Sequence, residues 1–154
     1  IYYHYDSKES ILFNILKATM DDLTDFLKSK LGLVADVEQR MRTAVRSHVH
    51  FHLERQKENF IANSELRGIT DDHYCIIVNK RDEYETIFQR IIQQGIEDGV
   101  FAKADVKILS YAILTLCTAG ATWYKQSGRL TINEIADIYE TFILGGLKQG
   151  GLRN

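Results

Sequence analysis

The sequence predicts an all-α fold, and three observations carry that expectation. Apolar residues recur at spacings of three and four along the chain, the pattern of a helix with one buried face, and sustained period-two alternation is absent. There is no proline, so no position forbids helix on backbone grounds. Capping residues and glycines fall between the apolar runs, where helices start and stop.

The elements follow in order from these signals. A first helix is expected over about Lys8–Lys30, with Ser7 as N-cap and Glu9 where the helix dipole favours an anion. Its stripe is Ile11, Leu12, Ile15, Leu16, Met20, Leu23 and Leu27, and Gly32 ends it. Asp36 caps a second helix, with Gln39 in the capping-box position and Val37, Met41, Ala44, His48 and Phe51 on one face. A bend is expected near Gln56-Lys57-Glu58, then a shorter piece from Phe60 to Leu66 that stops at Gly68. Thr70, Asp71 and Asp72 open a long helix to about Asp98, with Gly99 as its stop. Asp105 caps a helix ending near Tyr124. Thr131 and Glu134 form a capping box for the last one, which Gly145-Gly146 is expected to fray.

Composition narrows the function classes. At 154 residues, 45% apolar and 26% charged, the chain is ordinary globular material with one domain's worth of core. A net charge of −2 is not that of a free-standing nucleic-acid binder, which carries a basic excess. Cys75 and Cys117 have no zinc or CxxC spacing and read as small buried side chains of a reducing, cytoplasmic compartment. No signal peptide is visible. Ile108 to Tyr124 holds 17 residues without a charge, but this falls short of about 20 for a bilayer span and Ser110, Thr115, Thr118 and Thr122 dilute it. A helix buried on two sides fits better, and no membrane partner is expected.

That helix has Leu109, Ile113, Leu116, Gly120 and Trp123 on one side and Leu114 and Ala121 turned away. Two apolar faces need two partners: the domain's own core and, on the other side, a second copy of the chain. Leu114, Ala121, Ile135, Tyr139, Phe142 and Gly146 are the expected dimer contacts; burial within a monomer is the alternative.

Three groups of residues invite a site. His48 and His52 stand one turn apart on one face, with His50 pointing away and His73 distant in sequence. A metal would need a third ligand that nothing announces, so His48 reads as a hydrogen-bonded core or pocket-lining residue, and no metal or other cofactor is expected. Arg81 lies within the apolar face of Tyr74, Ile77, Val78, Tyr84, Phe88 and Ile92. It needs a partner there, either Glu85 or Glu65 or an anionic ligand, and Arg55 poses the same question. Trp123-Tyr124-Lys125-Gln126-Ser127-Gly128-Arg129 joins an aromatic platform to two cations at a turn before a helix N-terminus. Such a turn suits a phosphate or carboxylate beside a stacked ring, although a Trp in the core and solvated cations are the plainer reading.

The N-terminal words Tyr2-Tyr3-His4-Tyr5 and Ser7-Lys8-Glu9 resemble the junction between recognition helix and connecting helix in the TetR family of bacterial repressors, with Tyr5 in place of the usual Phe. Glu65-Leu66-Arg67, Arg81-Asp82-x-Tyr84-Glu85, Gly95-x-x-x-Gly99-x-Phe101 and Trp123-Tyr124-x-x-x-Gly128-Arg129-Leu130 resemble a branch of that family controlling fatty-acid and steroid degradation, whose members sense acyl-CoA thioesters. Gln126 stands where that branch often has proline. The resemblance implies a TetR-like ligand-binding and dimerisation domain over 8–154, preceded at 1–7 by the end of a DNA-binding domain whose helix-turn-helix lies before Ile1. It implies dimerisation through the two C-terminal helices, and phosphate contacts from Tyr2, Tyr3, His4 and Lys8 to operator DNA. The effector would be a hydrophobic small molecule, foremost an acyl-CoA. Its tail would lie among Met41, His48, Phe51, Phe88 and Leu116, with His52, Arg81 and Tyr84 in the same site, its adenine near Trp123 and its phosphates near Lys125 or Arg129. Effector binding would release DNA.

A non-CoA hydrophobic or aromatic effector and a ligand-free helical dimerisation module are the alternatives. An enzyme is not expected: His48 or His52 could serve as a base, but no nucleophile–base pair or glycine-rich oxyanion turn accompanies them.

Overall fold

A computed structural model of the chain describes residues 2–148; the side chains of residues 2–7 and of Asn63 lie outside the described set. The described residues form six α-helices and no strand: α1 (Tyr2–Leu31), α2 (Val37–Glu54), α3 (Gln56–Ser64), α4 (Asp71–Glu97), α5 (Val106–Trp123) and α6 (Ile132–Leu147). A 3₁₀ turn, Leu66–Gly68, joins α3 to α4.

Local chemistry sets most boundaries. The side chains of Asp36, Thr70, Asp105 and Thr131 each accept a hydrogen bond from an amide in the first turn of the helix that follows. Thr131 and Glu134 complete their reciprocal capping box. At the other ends, side chains close the gaps. Gln56 Nε2 donates to the carbonyls of Ala121 and Tyr124 at 2.9 and 2.8 Å, finishing α5. Asn59 Nδ2 donates to the Arg55 carbonyl at 2.8 Å, where α2 breaks into α3.

Two expectations at the ends give way. α1 continues back through Ser7 to Tyr2 instead of starting there, since nothing in Asp6-Ser7-Lys8 opposes a helix. Glu9 does not serve the N-terminus of its own helix. Its buried carboxylate accepts from the Thr70 amide at 2.9 Å and from His73 Nδ1 at 2.7 Å, at the entrance to α4. The Thr70 amide first, then the His73 contacts, hold its carboxyl below the usual range against the opposing effect of burial. Phe13 stacks on His73 at 3.7 Å, so α1 is clasped to α4 near its N-terminal end. α6 also runs through Gly145-Gly146 to Leu147 without fraying.

The core lies where α2 crosses the other helices, around Met41, Ala44, Val45, Phe88, Ile92 and Phe101. Phe101 reaches it because Gly95 has no side chain: a Cβ there would sit 2.0 Å from the Phe101 ring. Gly99, at φ 75°, makes the reversal that brings Phe101 back over α4. The spacing Gly95-x-x-x-Gly99-x-Phe101 is thus one packing device. On the far side of α2, Arg46 pairs with Asp137 and Glu140 of α6 and binds the two helices together.

Cys117 is buried as expected, and burial pushes its thiol up to about 12; Cys75 is exposed.

Candidate functional site

A cavity of about 430 Å³ lies between α1, α2, α3, α4 and α5. α1 contributes Thr19, Met20 and Leu23; α2 His48 and His52; α3 Asn59 and Ala62; α4 Arg81, Tyr84 and Glu85; and α5 Leu114, Thr115, Thr118 and Ala119. The lining is mostly apolar with a few polar groups held in fixed positions, as small-molecule sites are. Thr115 and Ala119 are exposed as well as lining it.

The polar groups are ordered by one another. His48 is wedged between Tyr84 Oη, 2.6 Å from Nδ1, and Thr118 Oγ1, 2.8 Å from Nε2. His52, one turn on, stacks on His48 with ring centroids 4.0 Å apart, and its Nδ1 lies 3.0 Å from the His48 carbonyl. Burial, and then the neighbouring His52 ring, keep His48 well below the ordinary histidine range. Burial lowers His52 to about 4. Both rings are therefore neutral near pH 7. Arg81 donates to the Ala62 carbonyl at 2.9 Å, and Glu85 accepts from Gln89 Nε2 at 2.7 Å. Burial first and then Asp82 raise the Glu85 carboxyl.

Other hollows differ in kind. A cleft of about 550 Å³ where α1 passes into α2 is lined by Lys28, Arg40, Arg90 and Asp98 among apolar neighbours, so it is a charged surface groove. The five-helix cavity combines buried polar groups with a wall on α1.

Residues 34–147 match the family described as tetracyclin repressor-like, C-terminal domain. The chain belongs to this family. Among its relatives, the HTH-type transcriptional repressor KstR2 of Rhodococcus jostii strain RHA1 is 24% identical over 153 residues, spanning 96% of this chain and 73% of that protein. A bacterial regulatory protein of the TetR family from Rhodococcus RHA1 superposes with a TM-score of 0.87 at 24% identity, covering 96% of this chain and 78% of that one. AibR, solved in complex with isovaleryl coenzyme A and operator DNA, superposes with a TM-score of 0.82 at 24% identity, covering 92% of this chain and 77% of its own. At that identity the two structures show that the fold is shared.

On this TetR-family frame the sequence-predicted residues separate into groups. His48, His52, Arg81 and Tyr84 come together around the cavity. Met41, Phe51 and Phe88 are buried in the core beside it and do not line it. Leu116 and Trp123 are exposed on the outer side of α5, at 37% and 52%. Lys125 and Arg129 are exposed in the turn before α6, and the hollow of about 390 Å³ around Arg129 shares no residue with the cavity. At that turn the Glu134 amide is taken by Thr131 Oγ1 and the Thr131 amide by the Glu134 carboxylate, which places a negative charge where an anion would dock.

The expected dimer residues also divide. Phe142 and Gly146 are exposed and Tyr139 is half-buried, whereas Ile135 belongs to the core, Ala121 packs against it and Leu114 lines the cavity. The outward apolar surface consists instead of Ile108, Tyr111, Leu116 and Trp123 on α5 with Ile138 and Phe142 on α6. The inner line of α5 runs through Ser110, Ile113, Cys117 and Gly120. Three of these are small, so apolarity marks the inner line only at Ile113.

Lys8 is exposed; the side chains of Tyr2, Tyr3 and His4 lie outside the described set. Sequence reasoning missed Thr19, Leu23, Asn59 and Thr118 in the cavity wall. Thr118 carried a signal, being a hydroxyl inside an apolar helix, which needs a buried partner or a ligand.

Proposed function

We propose that this chain is the effector-binding and dimerisation part of a TetR-family transcriptional repressor. A hydrophobic small molecule, foremost the acyl end of an acyl-CoA thioester, fills the five-helix cavity and weakens operator binding. The observation that carries this reading is the composition of the cavity wall. Thr19, Met20 and Leu23 belong to α1, and the same helix carries Lys8 and the Tyr2-Tyr3-His4 segment that would face DNA. From Glu9 to Leu23 is about 21 Å along a rigid helix, so a ligand that moves the wall moves the DNA-proximal end. The Glu9 clasp on Thr70 and His73 gives that movement a second anchor on α4.

The acyl-CoA assignment draws on AibR, which shares the fold and was solved with isovaleryl coenzyme A. A cavity of about 430 Å³ accepts an acyl chain and its thioester, leaving the nucleotide outside. A non-CoA hydrophobic effector is the second reading, favoured by the absence of Lys125 and Arg129 from the cavity wall. Titrating the full-length protein with acyl-CoAs of several chain lengths and with the matching free acids, by calorimetry, separates the two. Binding of the thioesters alone supports the first, and heat from neither series overturns it.

The exposed Ile108, Tyr111, Leu116, Trp123, Ile138 and Phe142 are the surface on which a second copy would pack, α5 and α6 meeting their counterparts in a four-helix contact.

A further inference from the structure

The hydrogen bonds around His48 and His52 fix which polar groups the cavity has left to offer. The His48 carbonyl can only accept, so His52 Nδ1, 3.0 Å away, carries the proton. In the neutral ring Nε2 is then a bare lone pair, and among the described residues nothing donates to it. His52 is 4% exposed as a residue and lines the cavity, so the one face it leaves open is on ligand space.

His48 yields the complementary group by counting protons. Its neutral ring has one N–H, and Tyr84 and Thr118 bring one O–H each. The two hydrogen bonds, 2.6 Å to Tyr84 and 2.8 Å to Thr118, consume two of these three protons in either tautomer. One hydroxyl proton remains, on Tyr84 or on Thr118, and no other acceptor among the described residues takes it. Tyr84 and Thr118 both line the cavity, and the two imidazoles are stacked at 4.0 Å. The wall therefore presents one acceptor and one donor on neighbouring groups.

We propose that the cavity selects a ligand bearing a hydroxyl on its apolar body, the hydroxyl donating to His52 Nε2 and accepting from Thr118 or Tyr84. This rests on the reading of the cavity as the effector site and narrows it to hydroxylated effectors. A plain apolar ligand would strip water from both groups and leave them unpaired, which costs more than a missing contact. A ketone or thioester oxygen alone satisfies the donor and leaves His52 without a partner.

The test uses the full-length protein and two matched pairs of probes, butyryl-CoA with 3-hydroxybutyryl-CoA and indane with 2-indanol, measured by calorimetry. The hydroxylated member is expected to bind about tenfold more tightly. His52→Leu should bring that ratio close to one. His52→Gln, which restores an acceptor, should recover part of the preference even if the leucine variant folds poorly. A ratio near one in both pairs, a ratio untouched by His52→Leu, or no binding of any probe would overturn the proposal. Equal binding of both thioesters, with no preference in the indane pair either, would overturn hydroxyl selection alone and leave the acyl-CoA reading standing. A preference in the indane pair with no binding of either thioester would uphold hydroxyl selection and overturn the acyl-CoA reading.

Discussion

His48 and His52 stack face to face across one turn of α2, ring centroids 4.0 Å apart, and the second ring is oriented by the first residue's own carbonyl. The pair stands between the core and the cavity, so its protonation bears on stability and binding alike.

Stability should fall as pH drops below about 6.5. His52 has its folded pKa lowered to about 4 by burial, so the unfolded chain binds a proton in this range that the folded one refuses. The stabilisation is fully present above the unfolded value and is lost as pH falls towards 4, reaching roughly 3 kcal/mol. His48, shifted in the same direction, adds to it. Thermal melts from pH 7.5 to 4.5 check this, and His52→Leu should flatten the slope. Glu9, Asp21 and Glu38 have lowered carboxyl pKa values and extend the loss below the usual carboxylate range.

Glu9→Ala should cost about 1–3 kcal/mol, because it leaves the Thr70 amide and His73 without their shared acceptor. Hydrogen exchange should rise first in the opening turn of α4. A uniform change across the protein would contradict the clasp.

Gly95→Ala should destabilise by about 1–3 kcal/mol or more, since the new methyl would overlap the Phe101 ring. Phe101→Leu alone should also destabilise, yet the double variant should lose less than the sum of the two losses, because the smaller side chain relieves the overlap. Additive losses would mean that the residues do not share one space.

Ile138→Asp combined with Phe142→Asp should give monomers at micromolar concentration in sedimentation equilibrium, with the helical spectrum retained. Both side chains are exposed in the single chain, at 54% and 69%, so the change touches association and not the core.

What the sequence made legible was local. Asp36, Thr70, Asp105 and Thr131 announce their helices because a cap and the amide it binds are three residues apart. His48 and Arg81 stood out because a polar group on an apolar face needs an explanation. Glu9 was misjudged because its partner is 61 residues away, a pairing no local pattern encodes. On α5 the deepest positions are Ser110, Cys117 and Gly120, small residues that admit neighbouring helices and carry little hydrophobic signal. The cavity was only half visible for the same reason: Thr118 reads as dilution of an apolar stripe, and Thr19 carries no local signal, until the helices are packed.

The central claim is that the cavity and the operator compete through α1, and one pair of titrations tests it. Operator affinity of the full-length protein is measured by fluorescence anisotropy with and without saturating acyl-CoA, and acyl-CoA affinity by calorimetry with and without operator. The account predicts at least a tenfold loss of operator affinity and the same factor in the reverse direction, because linkage is reciprocal. Tight ligand binding that leaves operator affinity unchanged would contradict it.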